Sequence, residues 1–279
     1  MKSFTQILIY TLMALSTSVV GQVRVAKDIN YAHNGQRENN LNIYYPKQKG
    51  KHDVIIFIHG GSWSSGKKET YWWLGRNFAK QGVVTVIINY PLAPQATFKE
   101  MGLASAQAVK WVKDSISNYG GHPDRIFLMG HSAGGHLCEL INADPQYFAA
   151  VKLSNPIKGV ILNDAFGLDM DEYLSKAEKD HYYQDFIRTF STESKTWQLG
   201  SPLFYAKNIK NSHLIFYGTR TYEAIKLQSE RMFQVLRTQQ VPVTLHQVEG
   251  KKHVGMVSQL IWGTNPLYQQ ILGFLAATP

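Results

Sequence analysis

The stretch Arg125-Ile126-Phe127-Leu128-Met129-Gly130-His131-Ser132-Ala133-Gly134-Gly135 decides how this chain is read. Arg125–Met129 carries a strand pattern and Ala133–Asn142 a helical one, so Ser132 stands on the turn between them. Residues 130–134 fit G-x-S-x-G, a pattern that needs this strand–turn–helix setting. Such a turn forces the serine into strained backbone geometry, and its neighbours must be small to allow it. The hydroxyl is then lifted above the strand end, with a helix N-terminus behind it. A glycine-rich turn without chemistry is the alternative, and the rest of the chain decides between the two.

Outward from this turn, strands and helices alternate. Val54-Ile55-Ile56-Phe57-Ile58 is a continuous apolar run, as in a strand buried on both faces. Before it, Val23–Ile29 and Asn39–Tyr45 alternate apolar and polar residues and read as an antiparallel edge pair. Helical spacing covers Glu69–Lys80, Thr97–Ser117, Tyr222–Gln239 and Pro266–Ala276; further strand runs are Val83–Asn89, Lys158–Leu162, Ser212–Tyr217 and Val241–Val248. This order predicts an α/β chain with a mostly parallel, doubly wound sheet and helices on both faces. Asp169 to Gln198 breaks the alternation. It reads as a helical insertion over the carboxyl edge of the sheet, where ligands bind in such folds, or as a plain surface excursion.

Composition sets outer limits. The 279 residues are 44% hydrophobic and 18% charged, a globular balance that excludes disorder and collagen-like repeats. A single cysteine, Cys138, excludes an intramolecular disulfide framework and a cysteine-based zinc site. The formal charge of +9 could suit nucleic acid, but the basic residues cluster only in pairs such as Lys67–Lys68 and Lys251–Lys252. A solvated basic surface is expected instead, with no nucleic-acid partner. Residues 1–21 read as a signal peptide: Lys2, an apolar segment Ile7–Leu15, then Val19-Val20-Gly21 before a cut at Gln22. The segment is too short for a stable membrane span, so a secreted or periplasmic protein with one catalytic domain, residues 22–279, is expected.

Two further elements supply what an activated serine requires. His59-Gly60-Gly61-Ser62-Trp63 follows the first buried strand. Acyl transfer builds negative charge on a carbonyl oxygen, which preorganised backbone N–H groups must meet. The expected donors of this oxyanion hole are Gly60 or Gly61 with Ala133, and Ser62 is a further candidate. A histidine must follow the nucleophile in chain order. His213 opens a strand, His246 lies within one and His181 falls in the insertion; His253, in the polar loop Gly250-Lys251-Lys252-His253, remains.

With these motifs the chain resembles the α/β-hydrolase superfamily, and within it the hormone-sensitive-lipase-like esterases, bacterial carbohydrate esterases and kynurenine-formamidase-like enzymes. Tyr90-Pro91-Leu92-Ala93-Pro94 is similar to that branch's Y-x-L-A-P segment, and His122-Pro123-Asp124-Arg125-Ile126 to its lead-in to the nucleophile strand. The resemblance spans about residues 39–275. It implies the α/β-hydrolase fold and acyl hydrolysis, and leaves the substrate open.

The acid departs from the pattern. The family's Asp or Glu usually sits three residues after a glycine ending the penultimate strand, and here Gly218-Thr219-Arg220-Thr221 puts Thr221 there. Asp164, after the strand that follows the nucleophile strand, is taken as the acid; Glu223 is the alternative, with Asp169 and Asp171 behind it. A dyad without an acid is also compatible with the sequence.

The expected chemistry is ester hydrolysis through an acyl-enzyme on Ser132, with His253 as base and no metal or organic cofactor. Trp63 is expected to contact substrate, and the insertion contributes Tyr173, Tyr182, Tyr183, Phe186, Phe190 and Trp197 for stacking or for packing. Expected substrates are small-molecule esters or acetyl and feruloyl groups on polysaccharide. An amide or formamide hydrolase, and a non-catalytic binding protein of the same fold, are the alternatives.

Overall fold

A computed structural model describes residues 22–279. The expected signal segment, residues 1–21, lies outside the described residues. In chain order the elements are β1 (Val23–Asn30), β2 (Asn40–Pro46), β3 (His52–Ile58), α1 (Trp72–Lys80), β4 (Val84–Ile88), α2 (Phe98–Ser115), β5 (Gly121–His131), α3 (Ala133–Ala143), α4 (Pro145–Ala150) and β6 (Ile157–Asn163). Then come α5 (Met170–Lys176), α6 (His181–Phe190), α7 (Ser194–Leu199), β7 (Ser212–Gly218), α8 (Glu223–Thr238), β8 (Val243–Val248), α9 (His253–Ser258) and α10 (Pro266–Ala277).

The eight strands form one sheet in the order β1-β2-β4-β3-β5-β6-β7-β8. β1–β2 and β2–β4 pair antiparallel, and every other neighbouring pair is parallel. This is the expected mostly parallel sheet with an antiparallel edge. Alternate residues feed two cores: Val54, Ile56 and Ile58 face one with Leu128 and Leu162, while Ile55 and Phe57 face the other with Met129 and Ile161. Both faces of the central strands are therefore buried under helices, which accounts for their uninterrupted apolar sequence.

Helix starts follow local chemistry. Thr97 and Glu100 cap α2 reciprocally: the Thr97 hydroxyl accepts from the Lys99 N–H at 3.3 Å and Glu100 Oε2 from the Thr97 N–H at 2.8 Å. Asp169 and Asp180 cap α5 and α6. Three helices thus occupy the stretch read as an insertion. Two elements differ from the sequence reading. α4, started by Asp144 and Pro145, has no counterpart in it. His253 does not lie in a loop but opens the short helix α9. No helix among the described residues is long and apolar enough to cross a membrane.

Candidate active site

β5, the central strand, delivers Ser132 to the carboxyl edge of the sheet. Ser132 adopts φ 55° and ψ −126°, a conformation that side chains rarely take. Close backbone packing holds it there. A Cβ at Gly134 would sit 2.0 Å from the Ile58 carbonyl oxygen, and one at Gly130 would sit 2.3 Å from the Gly134 carbonyl oxygen. The Ser132 carbonyl accepts from the N–H groups of His136 and Phe166, each at 3.2 Å. The small residues of the elbow are thus a packing requirement.

His253 and Asp164 converge on this serine. His253 Nε2 lies 2.8 Å from Ser132 Oγ, and its Nδ1 lies 2.6 Å from Asp164 Oδ2. Asp164 directly follows β6, is fully buried, and takes φ 54°. Its Oδ1 accepts from the Gly218 N–H at 2.9 Å, and its Oδ2 also accepts from the Thr221 hydroxyl. The neighbour relation of β6 and β7 makes this possible, since the turn after β7 lies beside the residue after β6. Thr221, where the family pattern places an acid, therefore touches the carboxylate that stands one strand away.

The other acids considered make other contacts, although Glu223 also lines the pocket over Ser132. Glu223 opens α8 and pairs with Lys226 at 3.0 Å, and its side chain is 70% exposed. Asp169 caps α5 and pairs with Arg231 at 2.9 Å, and Asp171 lies in the first turn of α5. None of the three has a hydrogen bond to His253 among the described residues. Of the other late histidines, His213 is buried against Glu139 at 2.9 Å, His246 stacks on Phe216 in the β7–β8 region, and His181 lies exposed on α6.

The oxyanion segment folds back against the elbow. Gly60 approaches so closely that a Cβ there would lie 2.9 Å from Ser132 Cβ and 2.8 Å from the His131 carbonyl oxygen. Gly61 has φ 129°, and Ser62 and Trp63 also take positive φ. This irregular run turns Ser62 into the pocket beside Ser132. Among the described residues no acceptor pairs with the N–H of Gly60, Gly61 or Ser62. His59 fixes the start of the run: its Nδ1–H donates to the Gly60 carbonyl at 2.8 Å, and Tyr90 donates to the His59 carbonyl at 2.9 Å. The Ala93 N–H donates to the Trp63 carbonyl at 2.9 Å, so the Tyr90–Pro94 segment braces this loop.

Trp63 requires a correction. Its sequence setting places it on the substrate side, but its side chain is fully buried. Its indole N–H donates to His136 Nδ1 at 3.2 Å, and Phe186 and Phe190 pack edge-on against its ring. The insertion covers it, so it supports the pocket wall from behind. Trp197 and Phe190 are buried in the same way.

The pocket over Ser132 encloses about 400 Å³. Its aromatic wall is Phe166, Tyr173, Tyr182, Phe186 and Tyr222. Three of these come from the insertion, as expected. Phe166 and Tyr222 escape the sequence reading, although they sit three and four residues past the ends of β6 and β7, where binding residues of such sheets gather.

Two buried histidines shape the electrostatics. His131 stacks on His253 with ring centroids 4.7 Å apart, and its Nε2–H donates to the His253 carbonyl at 3.1 Å. Burial, reinforced by repulsion from a charged His253, pushes His131 down to about 4. It is therefore neutral at neutral pH and braces His253 without adding charge. His136 is also pushed down to about 4 by burial, and its Nε2–H donates to the Gly200 carbonyl at 2.7 Å. It thus ties the elbow helix α3 to the end of the insertion.

Fold and site together define an α/β-hydrolase-fold protein with a serine, a histidine and an aspartate in hydrogen-bonding sequence. The family model BD-FAE matches residues 41–236, and the chain belongs to this family. Among curated proteins it is similar to the probable isoprenylcysteine alpha-carbonyl methylesterase ICMEL1 of Oryza sativa subsp. japonica, at 27% identity over 89% of this chain. The chain spans 62% of that relative's length. Among solved structures, esterase B from Lactobacillus rhamnosis superposes with a TM-score of 0.78 at 20% identity, covering 91% of this chain and 85% of that one. A truncated carbohydrate esterase from gut microbiota gives 0.77 at 20% identity, covering 92% and 96%. At these identities the two structures speak to the fold.

Proposed function

We propose that this protein is a serine carboxylic-ester hydrolase. The observation that carries the reading is the unbroken chain Ser132 Oγ, His253 Nε2 and Nδ1, Asp164 Oδ2, with links of 2.8 and 2.6 Å at the floor of a pocket. His253 Nε2 takes the proton of Ser132 as Oγ attacks the ester carbonyl. Asp164 holds Nδ1 protonated, so Nε2 is left free to act as base, and it stabilises the imidazolium that forms. The carbonyl oxygen, now negative, is met by the Ala133 N–H at the start of α3 and by the N–H of Gly60 or Gly61, with Ser62 as a further donor. His253 then protonates the departing alcohol, and the acyl group remains on Ser132. Water activated by the same nitrogen releases the acid and restores Ser132.

Acetyl or feruloyl esters of polysaccharide are the substrates we favour. The aromatic wall of the pocket offers flat apolar surfaces for a sugar or aryl ring. The carbohydrate esterase among the structural neighbours is in keeping with that class, while the methylesterase relative keeps small-molecule esters in view. We also propose export, on the n-region, apolar run and small residues within positions 1–21. The protein should be recovered outside the cytoplasm with its amino terminus near Gln22, and recovery only inside the cytoplasm with Met1 retained would count against export.

A fluorophosphonate probe tests the mechanism. It should label wild-type protein at Ser132 and leave Ser132→Ala unlabelled, and the variant should lose turnover of p-nitrophenyl acetate while staying folded. Undiminished turnover in the folded variant would refute the serine mechanism.

A further inference from the structure

The turn Gly218-Thr219-Arg220-Thr221 leaving β7 touches both partners of Ser132. The Gly218 N–H and the Thr221 hydroxyl donate to opposite oxygens of Asp164. The Thr221 N–H donates to the Gly218 carbonyl at 3.1 Å and closes the turn. The Arg220 N–H donates to the Lys251 carbonyl at 3.0 Å, two residues before His253. Gly218 itself is pressed against this strand of chain: a Cβ there would lie 2.2 Å from the Lys251 carbonyl oxygen. One turn therefore sets the position of the acid and of the segment that carries the histidine.

Asp164 Oδ2 receives two contacts, from His253 Nδ1 and from the Thr221 hydroxyl, and a carboxylate oxygen has lone pairs for two. Rotating the carboxylate about its Cβ–Cγ bond would break both, and the Gly218 contact on the other oxygen as well. Without the hydroxyl, the Gly218 N–H and His253 alone would hold the plane, and His253 is the group that must itself be oriented. An acid reaching across from the neighbouring strand needs a fixed donor at this place.

We infer that Thr221 is a positioning residue: its hydroxyl fixes the Asp164 carboxylate in the plane that keeps His253 Nε2 aimed at Ser132. The inference rests on the serine-esterase reading above. Thr221 stands where the family pattern places an acid, and here a neutral donor at that place serves an acid borne by β6. Orientation of the base matters in the transition state and hardly at all to bound substrate, so the effect falls on kcat.

The test compares Thr221→Val and Thr221→Ser on p-nitrophenyl acetate, with Ser132→Ala and Asp164→Asn assayed alongside and thermal melting as the folding check. Thr221→Val should lower kcat about tenfold, the loss expected for one hydrogen bond to a charged group, with KM changed less than about twofold. Thr221→Ser, which retains the hydroxyl, should recover at least about half of wild-type kcat. If Thr221→Val does not fold, Thr221→Ala carries the same expectation. If Ser132→Ala and Asp164→Asn are inactive while Thr221→Val keeps wild-type kcat, the positioning role is overturned and the esterase reading stands. If Thr221→Ser is as slow as Thr221→Val, shape and not the hydroxyl is responsible, and the inference fails. If Ser132→Ala and Asp164→Asn are fully active, the esterase reading fails and this inference falls with it.

Discussion

Replacing Asp164 by asparagine changes one oxygen to an amino group and leaves the shape of the side chain. Its consequence follows from the donors around it. Three groups donate to this carboxylate: Gly218 N–H at Oδ1, and His253 Nδ1 and the Thr221 hydroxyl at Oδ2. An amide has one acceptor and one donor end, so in either orientation its NH2 meets a group that itself donates. Turned toward His253, the NH2 forces Nδ1 to accept, which moves the imidazole proton to Nε2 beside Ser132 Oγ. A protonated Nε2 cannot take the serine proton. Turned the other way, the NH2 abuts the Gly218 N–H in a fully buried position. The first alternative forfeits a charge-assisted hydrogen bond worth about 1.5–3 kcal/mol, and the second strands a buried donor at about 1–3 kcal/mol. The imidazolium also loses its counter-charge. At about 1.36 kcal/mol per decade, the lost hydrogen bond alone corresponds to roughly 10–10² in kcat, and the wrong tautomer with the lost counter-charge carries the expected loss to roughly 10²–10⁴. The upper end of that range is the size of loss that a triad histidine held in the wrong tautomer produces. Steady-state kinetics on p-nitrophenyl acetate measures it, with melting temperature as the folding control. Glu223→Gln serves as the comparison: its side chain lines the pocket but is 70% exposed and pairs with Lys226, not with His253, so kcat should change less than about threefold. A folded Asp164→Asn variant within about threefold of wild type, or a larger loss from Glu223→Gln, would refute the assignment of the acid.

Acid should destabilise the fold through three buried histidines. Burial pushes His59, His131 and His136 each down to about 4. The unfolded chain protonates them near 6.5, so stability is intact above that pH and is lost as pH falls toward 4. At pH 5 each contributes a loss of about 2 kcal/mol, and urea titrations at pH 7 and 5 should show it; unchanged midpoints would contradict neutral burial. At the elbow, Gly134→Ala should destabilise by about 2 kcal/mol or more, although alanine favours a helix, because its methyl would meet the backbone of Ile58 and His59. A neutral or stabilising result in denaturant titration would show that the elbow is not so tightly packed.

Much of this molecule is legible locally. The apolar runs around Ile56 and Leu128 declare strands covered on both faces, and the glycines at 130 and 134 declare a turn where no side chain fits. Such features depend on residues near one another in the chain, so periodicity and small-residue spacing reveal them. His253 is reached by chain order and by elimination. Even so, the chain around it reads as a loop, since α9 is a single short helix held by its contacts.

What local reading leaves open are relations between distant segments. The sequence reading takes Asp164 ahead of Glu223, but both are acids past a strand and nothing in their flanking residues settles the choice. The β6–β7 pairing does, because it lays the Gly218–Thr221 turn beside Asp164 and gives that carboxylate its donors. Trp63 lies in a glycine-rich loop near the serine, and its sequence setting suggests exposure. α6 packs over it and buries it, while Phe166 and Tyr222 come to line the pocket instead. The sequence alone determined the order of strands along the chain, the strained serine turn and the candidate histidine, because steric and periodic constraints act over a few residues. Only the tertiary structure decided which acid meets that histidine and which aromatics face the pocket, because hydrogen bonding and burial are settled by neighbours brought together across the sheet.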